Sequence, residues 1–140
     1  MAKLHLIKLC VGADSIEDLL GWQMQRLSER RKKRMPRELI HVTRQMPKRK
    51  DELLDGGCLY WVIKGYTAAR QPLLDLRPVH DKEGIPRCEI VYSPELVSVV
   101  RRAHRPFQGW RYLSAKDAPP DARGPAADAL HAELAELGLL

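Results

Sequence analysis

The stretch Cys58-Leu59-Tyr60-Trp61-Val62-Ile63-Lys64 carries the strongest strand signal in the chain. Its β-branched and aromatic residues favour extended backbone, in which successive side chains point to opposite faces. One face would carry Leu59, Trp61 and Ile63, and the other Tyr60, Val62 and Lys64. Both faces are mostly apolar, which is typical of a strand that is covered on both sides. We therefore predict a central strand here.

Two further strands and a helix are predicted on the N-terminal side. Residues 3–11 and 38–45 have the apolar patterns of a buried strand and a short strand. Asp14 and Glu17 have the spacing of a capping box, which predicts a helix that begins at Ser15. Pro36 is expected to end it after the cationic run 30–34.

On the C-terminal side, residues 73–79 and 86–92 are expected to form a strand pair joined by a polar, glycine-containing loop. Residues 64–70 would leave the sheet as a loop. Ser93-Pro94-Glu95 has the residue types of a helix N-terminus, which predicts a short helix with Leu96, Val97 and Val100 as its apolar face.

The rest of the chain completes an α+β fold. Residues 110–113 are predicted to form a last short strand, and hairpin connections imply a small, mostly antiparallel sheet that could be barrel-like, with flanking helices. The predicted organisation is a single domain over residues 1–117, a Pro-rich linker over 118–125 and a C-terminal amphipathic helix over 126–140, in which Leu130, Leu134 and Leu137 share one face.

Composition narrows the class of protein. A chain of 140 residues with 44% hydrophobic residues is long enough for one domain with its own core. No apolar run approaches the roughly 20 residues of a membrane span, and the start of the chain has no secretory signal pattern. Cys10, Cys58 and Cys88 are odd in number and far apart, which favours buried, reduced thiols. We expect a cytoplasmic protein without a membrane partner.

Catalytic motifs are absent from the sequence. It contains no G-x-S-x-G elbow, no Walker loop and no G-x-G-x-x-G. Its five His residues are scattered, and its Cys residues are not paired, so neither a metal site nor a cofactor is predicted. The sequence thus favours a binding protein over an enzyme.

Charge is distributed unevenly along the chain. The net charge is +6, yet residues 26–50 hold eleven Lys or Arg against two Glu, and residues 114–140 hold two against five acidic residues. A basic block of this kind suggests a polyanionic partner. The run 30–34 within it can equally be a solvated helix end.

A second basic stretch, residues 101–112, interleaves Arg with aromatic rings. Arginine binds phosphate in a bidentate manner and flat rings stack on unpaired bases, so the pattern is typical of a surface for single-stranded RNA. The rings could instead fill the core. The candidate nucleic-acid-binding residues are Arg44, Lys48, Arg49, Tyr60, Lys64, Arg70, Arg105, Trp110 and Arg111. Lys64 and Arg70 are expected to approach Arg44 and Arg105 at the strand ends.

Two alternative functions remain open. An enzyme for a small anionic or nucleotide substrate would use Cys58, Lys64 and Arg70 at the end of the central strand. A protein-interaction subunit would present the C-terminal helix to a partner groove.

Several blocks of the sequence resemble a known family. They are residues 4–12, His41-Val42-Thr43-Arg44, Pro47-Lys48-Arg49, Leu59-Tyr60-Trp61-Val62-Ile63-Lys64-Gly65, Arg70-Gln71 and Arg105-Pro106-Phe107-Gln108-Gly109-Trp110-Arg111-Tyr112-Leu113. Together they are similar to an uncharacterised alphaproteobacterial domain-of-unknown-function family over residues 3–118. The resemblance implies a bacterial cytosolic protein and no particular activity.

A second resemblance concerns architecture. A helix, a turn after Pro47-Lys48-Arg49, a Tyr-Trp strand and a hairpin look like the PUA-like barrels of the ASCH and EVE groups. This resemblance implies a barrel-like sheet and binding of RNA or modified bases.

Overall fold

A computed structural model describes residues 3–139 of the chain. Within that range it contains seven strands and three helices. In chain order they are β1 (Leu4–Leu9), α1 (Ile16–Lys32), β2 (Leu39–Thr43), α2 (Lys50–Leu54), β3 (Cys58–Ile63), β4 (Tyr66–His80), β5 (Pro86–Tyr92), β6 (Val97–Ala103), β7 (Trp110–Ser114) and α3 (Pro125–Glu136).

The strands form one sheet, and the predicted α+β class is confirmed. The sheet has the order β2-β5-β4-β3-β1-β7, and β6 also pairs with β4. Of the pairings described, that of β1 with β3 is parallel and the others are antiparallel. Over residues 3–139 no ladder joins β2 to β7, so the sheet stays open. These ladders do not close a barrel, and the resemblance to PUA-like barrels stays a prediction.

A single long strand, β4, connects the two halves of the sheet. Its first part pairs with β3 and β6, and its second part pairs with β5. β5 and β6 follow one another along β4, since Tyr92 lies opposite Leu73 and Val97 opposite Arg70. They act as one strand that is interrupted at residues 93–96.

That interruption corrects the predicted short helix over residues 93–100. Ser93 Oγ accepts a hydrogen bond from the Glu95 amide, as at a helix start, but no helix follows. Pro94 has no N–H for the ladder and breaks the strand, while the β-branched Val97 and Val99 favour its resumption. Val99 is buried and Val100 is exposed, as expected for alternation in a strand.

The expected loop over residues 64–70 is also wrong. Lys64 and Gly65 form a tight two-residue turn, and β4 begins at Tyr66. Both turn residues have positive φ, 50° and 82°. This is the backbone geometry of the hairpin turns whose twist matches that of the flanking strands. The turn was missed because its first residue is Lys rather than Asn, Asp or Gly.

Helix α1 begins one residue later than predicted, with a different cap. Ser15 is the N-cap and its Oγ accepts a hydrogen bond from the Asp18 amide, while Asp18 Oδ2 accepts one from the Asp14 amide. The capping pair is therefore Ser15 and Asp18 rather than Asp14 and Glu17. The helix ends at Lys32, before Pro36, because Arg34 adopts φ 56°.

The prediction that β3 is a central strand is confirmed. All six of its residues are buried. Leu59, Trp61 and Ile63 belong to the main core with α1, and the opposite face contributes to a smaller cluster with Ile7, Val99 and Leu113. Helix α1 therefore packs on one apolar face of β3, and residues of β6 and β7 pack on the other.

A polar network lies inside the main core. The Gln71 and Gln23 side-chain amides exchange two hydrogen bonds of 2.9 and 2.8 Å. Gln71 Oε1 also accepts from Trp61 Nε1 at 2.8 Å, and Gln71 Nε2 donates to the Ser93 carbonyl at 3.1 Å. Buried polar groups are costly unless paired. This network fixes α1 on the sheet and stabilises the break after β5.

The C-terminal part lies against β6. The Val100 amide donates to the Pro120 carbonyl and the Ala122 amide to the Ser98 carbonyl. Leu134 of α3 is buried in the chain's own core, whereas Leu137 is exposed. Docking of this helix to a partner remains a prediction. No helix within residues 3–139 has the length and apolarity to cross a bilayer.

Candidate nucleic-acid interface

The two outermost strands of the open sheet approach each other at one point. Trp110, the first residue of β7, donates from its indole Nε1 to the carbonyl of Gln45, just after β2, at 2.9 Å. Trp110 and Tyr112 lie on the same face of β7, and their rings meet edge to face with centroids 5.0 Å apart. The side chain of Trp110, rather than a ladder of backbone hydrogen bonds, therefore connects the β7 edge of the sheet to the end of β2.

A basic groove lies along this seam, with a volume of about 750 Å³. Its cations come from three separate segments: Arg44 follows β2, Arg87 belongs to β5, and Arg111 belongs to β7. We call it the seam groove. It is lined by Val42, Thr43, Arg44, Gln45, Arg87, Gln108, Gly109, Trp110 and Arg111.

Sheet register brings the first two cations together. Thr43 of β2 lies opposite Cys88 of β5, so Arg44 and Arg87 follow at adjacent positions. The Arg87 guanidinium donates to Asp81 at 3.1 Å. Arg44 is exposed and forms no side-chain hydrogen bond or ion pair with any group in residues 3–139. Arg44 therefore gives the groove a positive charge that no carboxylate of residues 3–139 neutralises.

Arg111 is positioned by its neighbours. Its Nη1 donates to the carbonyls of Gln108 and Trp110 at 3.1 and 3.2 Å, and its guanidinium lies 5.6 Å from the Phe107 ring centroid. An arginine held this way keeps further N–H donors for a phosphate.

The predicted pair Lys48 and Arg49 lies next to the groove. Both residues are exposed. The Arg49 amide donates to the Tyr112 hydroxyl at 3.1 Å, and its guanidinium lies 5.5 Å from the Tyr112 ring centroid. The same guanidinium pairs with Glu52, whose pKa it lowers. Arg49 therefore contributes less free charge than Lys48, for which residues 3–139 provide no ion-pair partner.

Lys64 and Arg105 form a separate group. The His104 amide donates to the Gly65 carbonyl at 2.8 Å, which places the β3–β4 turn beside the loop that carries Arg105. Both cations are exposed. This backbone contact places the two residues on neighbouring turns, and the approach of their side chains stays a prediction.

Tyr60 and Arg70 lie elsewhere. Tyr60 is only 5% exposed and packs edge to face on His5, with centroids 5.0 Å apart. The Arg70 guanidinium pairs bidentately with Asp121 at 2.8 and 2.9 Å and donates to Cys58 Sγ at 3.4 Å. Arg70 therefore contacts Asp121 and Cys58, and none of these contacts brings it to Arg44.

The candidate nucleophile Cys58 lies in an environment that disfavours its thiolate. Burial raises the thiol pKa, and the neighbouring Arg70 opposes this only in part. His5 Nδ1 accepts a hydrogen bond from the Cys58 amide at 2.9 Å, so that nitrogen does not carry the proton. Lys64 lies at the opposite end of β3. The three residues of the alternative enzyme site are not assembled around one substrate position.

His41 of β2 is held in its neutral form. Burial, with the nearby charges of Lys8 and Arg26, lowers the pKa of His41 to about 4. The His41 ring meets Trp61 edge to face at 6.2 Å. Over residues 3–139 no three His, Cys, Asp or Glu side chains converge in a way that could hold a metal ion.

Residues 6–140 match a family described as "Protein of unknown function (DUF1489)". The chain belongs to this family. No curated protein and no solved structure matches the chain. The resemblance expected from the sequence blocks is thereby confirmed, and membership of the DUF1489 family carries no activity with it.

Among the cations that line the groove of this DUF1489 member, sequence reasoning missed Arg87. The signal that could have found it is strand pairing: once residues 39–43 and 86–92 are read as neighbours, Arg44 and Arg87 fall at one edge. Gln108 and Gly109, which complete the groove, lie within the basic and aromatic block.

Proposed function

We propose that this DUF1489 protein binds single-stranded nucleic acid, with RNA as its ligand, at the seam groove. The observation that carries the proposal is the meeting of Arg44, Arg87 and Arg111 beside the half-buried ring of Trp110. Guanidinium groups bind phosphates and an aromatic ring stacks on a base. The groove is open, as a strand that enters and leaves it requires.

The polarity of the groove favours a polyanion over an apolar ligand. Arginine, glutamine and backbone groups form much of its wall, with Trp110 as its one large ring. Lys48 and Arg49 extend the positive surface beyond one end of the groove. Unpaired bases can reach Trp110, whereas a duplex would keep its bases stacked away from the ring.

The test is the binding of a fluorescein-labelled uridine decamer, measured by anisotropy over a range of salt concentrations. About three phosphate contacts should give a slope of log affinity against log salt of about −2, because single strands contribute roughly −0.7 per contact. Arg44→Glu should weaken binding and flatten this slope. Trp110→Ala should weaken binding by about 1–3 kcal/mol, and Trp110→Phe should restore part of it.

Arg123→Glu is the matched control, since Arg123 is exposed and does not line the groove. It makes the same charge change and should have little effect. Equal losses in Arg44→Glu and Arg123→Glu would reduce the effect to net charge and overturn the site. Absence of binding at low salt would overturn the function itself.

A further inference from the structure

A second depression, which shares no lining residue with the seam groove, lies between the end of α1 and the C-terminal segment. Its volume is about 790 Å³. Its apolar residues come from both segments, and we call it the α1 groove. It is lined by Met24, Leu27, Ser28, Arg31, Arg34, Met35, Arg37, Leu137, Gly138 and Leu139.

The apolar lining combines buried and accessible surface. Leu27 and Leu139 are 9% and 7% exposed and form the floor, while Met35 and Leu137 are 46% and 42% exposed. Exposed Met and Leu side chains next to each other leave apolar surface that a ligand could cover. A groove of this volume is within the range of small-molecule sites.

Three arginines surround this apolar lining. Arg37 is held by a hydrogen bond of 2.6 Å from its Nη2 to the Gly138 carbonyl, which fixes it at the rim. Arg31 and Arg34 form no ion pair with any acidic side chain in residues 3–139. The neighbouring Arg30 differs, because it is paired with Glu38. Among residues 3–139, Arg31 and Arg34 therefore line the groove without an acidic side chain that neutralises them.

Backbone strain marks the same place. Arg34 has φ 56°, a conformation that usually falls to glycine at the end of a helix. A non-glycine residue in this region costs stability, and such residues concentrate at binding sites. Arg34 thus holds a charged side chain at the groove where glycine would be less strained.

We propose that the α1 groove binds a single-chain anionic amphiphile, with its carboxylate or phosphate head at Arg31, Arg34 and Arg37. The alkyl chain would cover Met24, Met35 and Leu137 between the two segments. An apolar lining with a cationic rim matches a ligand that has an apolar body and one anionic end. This site is independent of nucleic-acid binding in the seam groove.

The test uses the fluorescent fatty acid cis-parinarate below its critical micelle concentration, with its uncharged methyl ester as the matched ligand. The acid should bind at least about tenfold more tightly than the ester, the effect of one good charge-assisted contact. Arg31→Glu and Arg34→Gly should each weaken binding of the acid about tenfold and leave the ester unchanged. Lys32→Glu is the control, because Lys32 lies on the same turn but does not line the groove.

Arg34→Gly also separates binding from folding. It relieves the positive φ, so its melting temperature should stay equal to the wild type or rise while affinity for the acid falls. Equal affinity for acid and ester, or equal losses in Lys32→Glu and Arg31→Glu, would overturn the proposal. Displacement of the acid by the uridine decamer as efficiently as by laurate would also overturn it, since the α1 groove would then be part of a polyanion surface.

Discussion

Removal of the Gln71 amide should be among the most destabilising single changes in this protein. Gln71 is fully buried and is the hub of the network that contains Gln23, Trp61 Nε1 and the Ser93 carbonyl. Gln71→Leu keeps a similar volume but leaves these buried groups without their partner. Each of these three groups costs about 1–3 kcal/mol when it is left unpaired, so we expect a loss of at least about 3 kcal/mol in the free energy of unfolding.

Gln23→Leu should cost much less, about 1 kcal/mol, because Gln71 keeps its bonds to Trp61 and Ser93. In the Gln23→Leu/Gln71→Leu double variant the Gln23 amide is no longer stranded. The two changes should therefore couple by about 1–2 kcal/mol, making the double variant less destabilised than the sum.

Urea denaturation followed by tryptophan fluorescence measures these quantities, and an unchanged m-value shows that the same surface unfolds. Gln25→Leu, an exposed position on the same helix, is the control and should change stability by less than about 0.5 kcal/mol. Equal losses in Gln71→Leu and Gln23→Leu, or strict additivity, would refute the hub.

Three further outcomes follow from the fold. The pKa of His41 is lowered to about 4, so between about pH 6.5 and pH 4 the unfolded chain binds a proton more readily than the native protein does. Stability should therefore fall by about 2–3 kcal/mol over this range, and His41→Gln should flatten the profile in pH-dependent denaturation. Cys10, Cys58 and Cys88 should react slowly with Ellman's reagent at neutral pH and rapidly in guanidinium, since burial raises every one of these thiol pKa values; fast reaction in the native protein would contradict that burial. Gly57→Ala should destabilise the protein by at least about 3 kcal/mol, because the new Cβ would lie 2.3 Å from two backbone oxygens. Gly21→Ala, whose Cβ would have nothing within 4 Å, should stabilise α1 by about 0.5–1 kcal/mol. Similar thermal midpoints for the two variants would refute this account.

Local pattern was sufficient for most elements of the fold. The alternating apolar residues of β3 and the polar loop between residues 80 and 86 specify their structure within a few positions. Ser93-Pro94-Glu95 predicts a helix start from sequence, whereas in the structure it interrupts a strand. These residue types fit a helix N-terminus and a strand interruption equally well. Only the ladder to β4 decides between them, and that ladder is a long-range property.

The sequence predicts the kinds of residue in the candidate site, but not which residues share it. The alternation of arginine and aromatic residues predicts Trp110 and Arg111 as site residues, and the groove contains both. Tyr60 could have been excluded from sequence, because a central strand that is covered on both faces leaves no open face for its ring. Arg87 required the register of two strands that are distant in sequence. Which cations share a surface is set by sheet order, which local periodicity does not contain.

The position of β1 has a consequence for synthesis of the chain. This strand lies between β3, which it pairs with in parallel, and β7, which pairs Ser114 with Leu4. One edge of β1 therefore stays unpaired during synthesis until the chain has been made as far as Ser114. Contacts this distant slow folding and leave apolar strands exposed meanwhile. We expect the nascent chain to depend on chaperones until its last strand emerges.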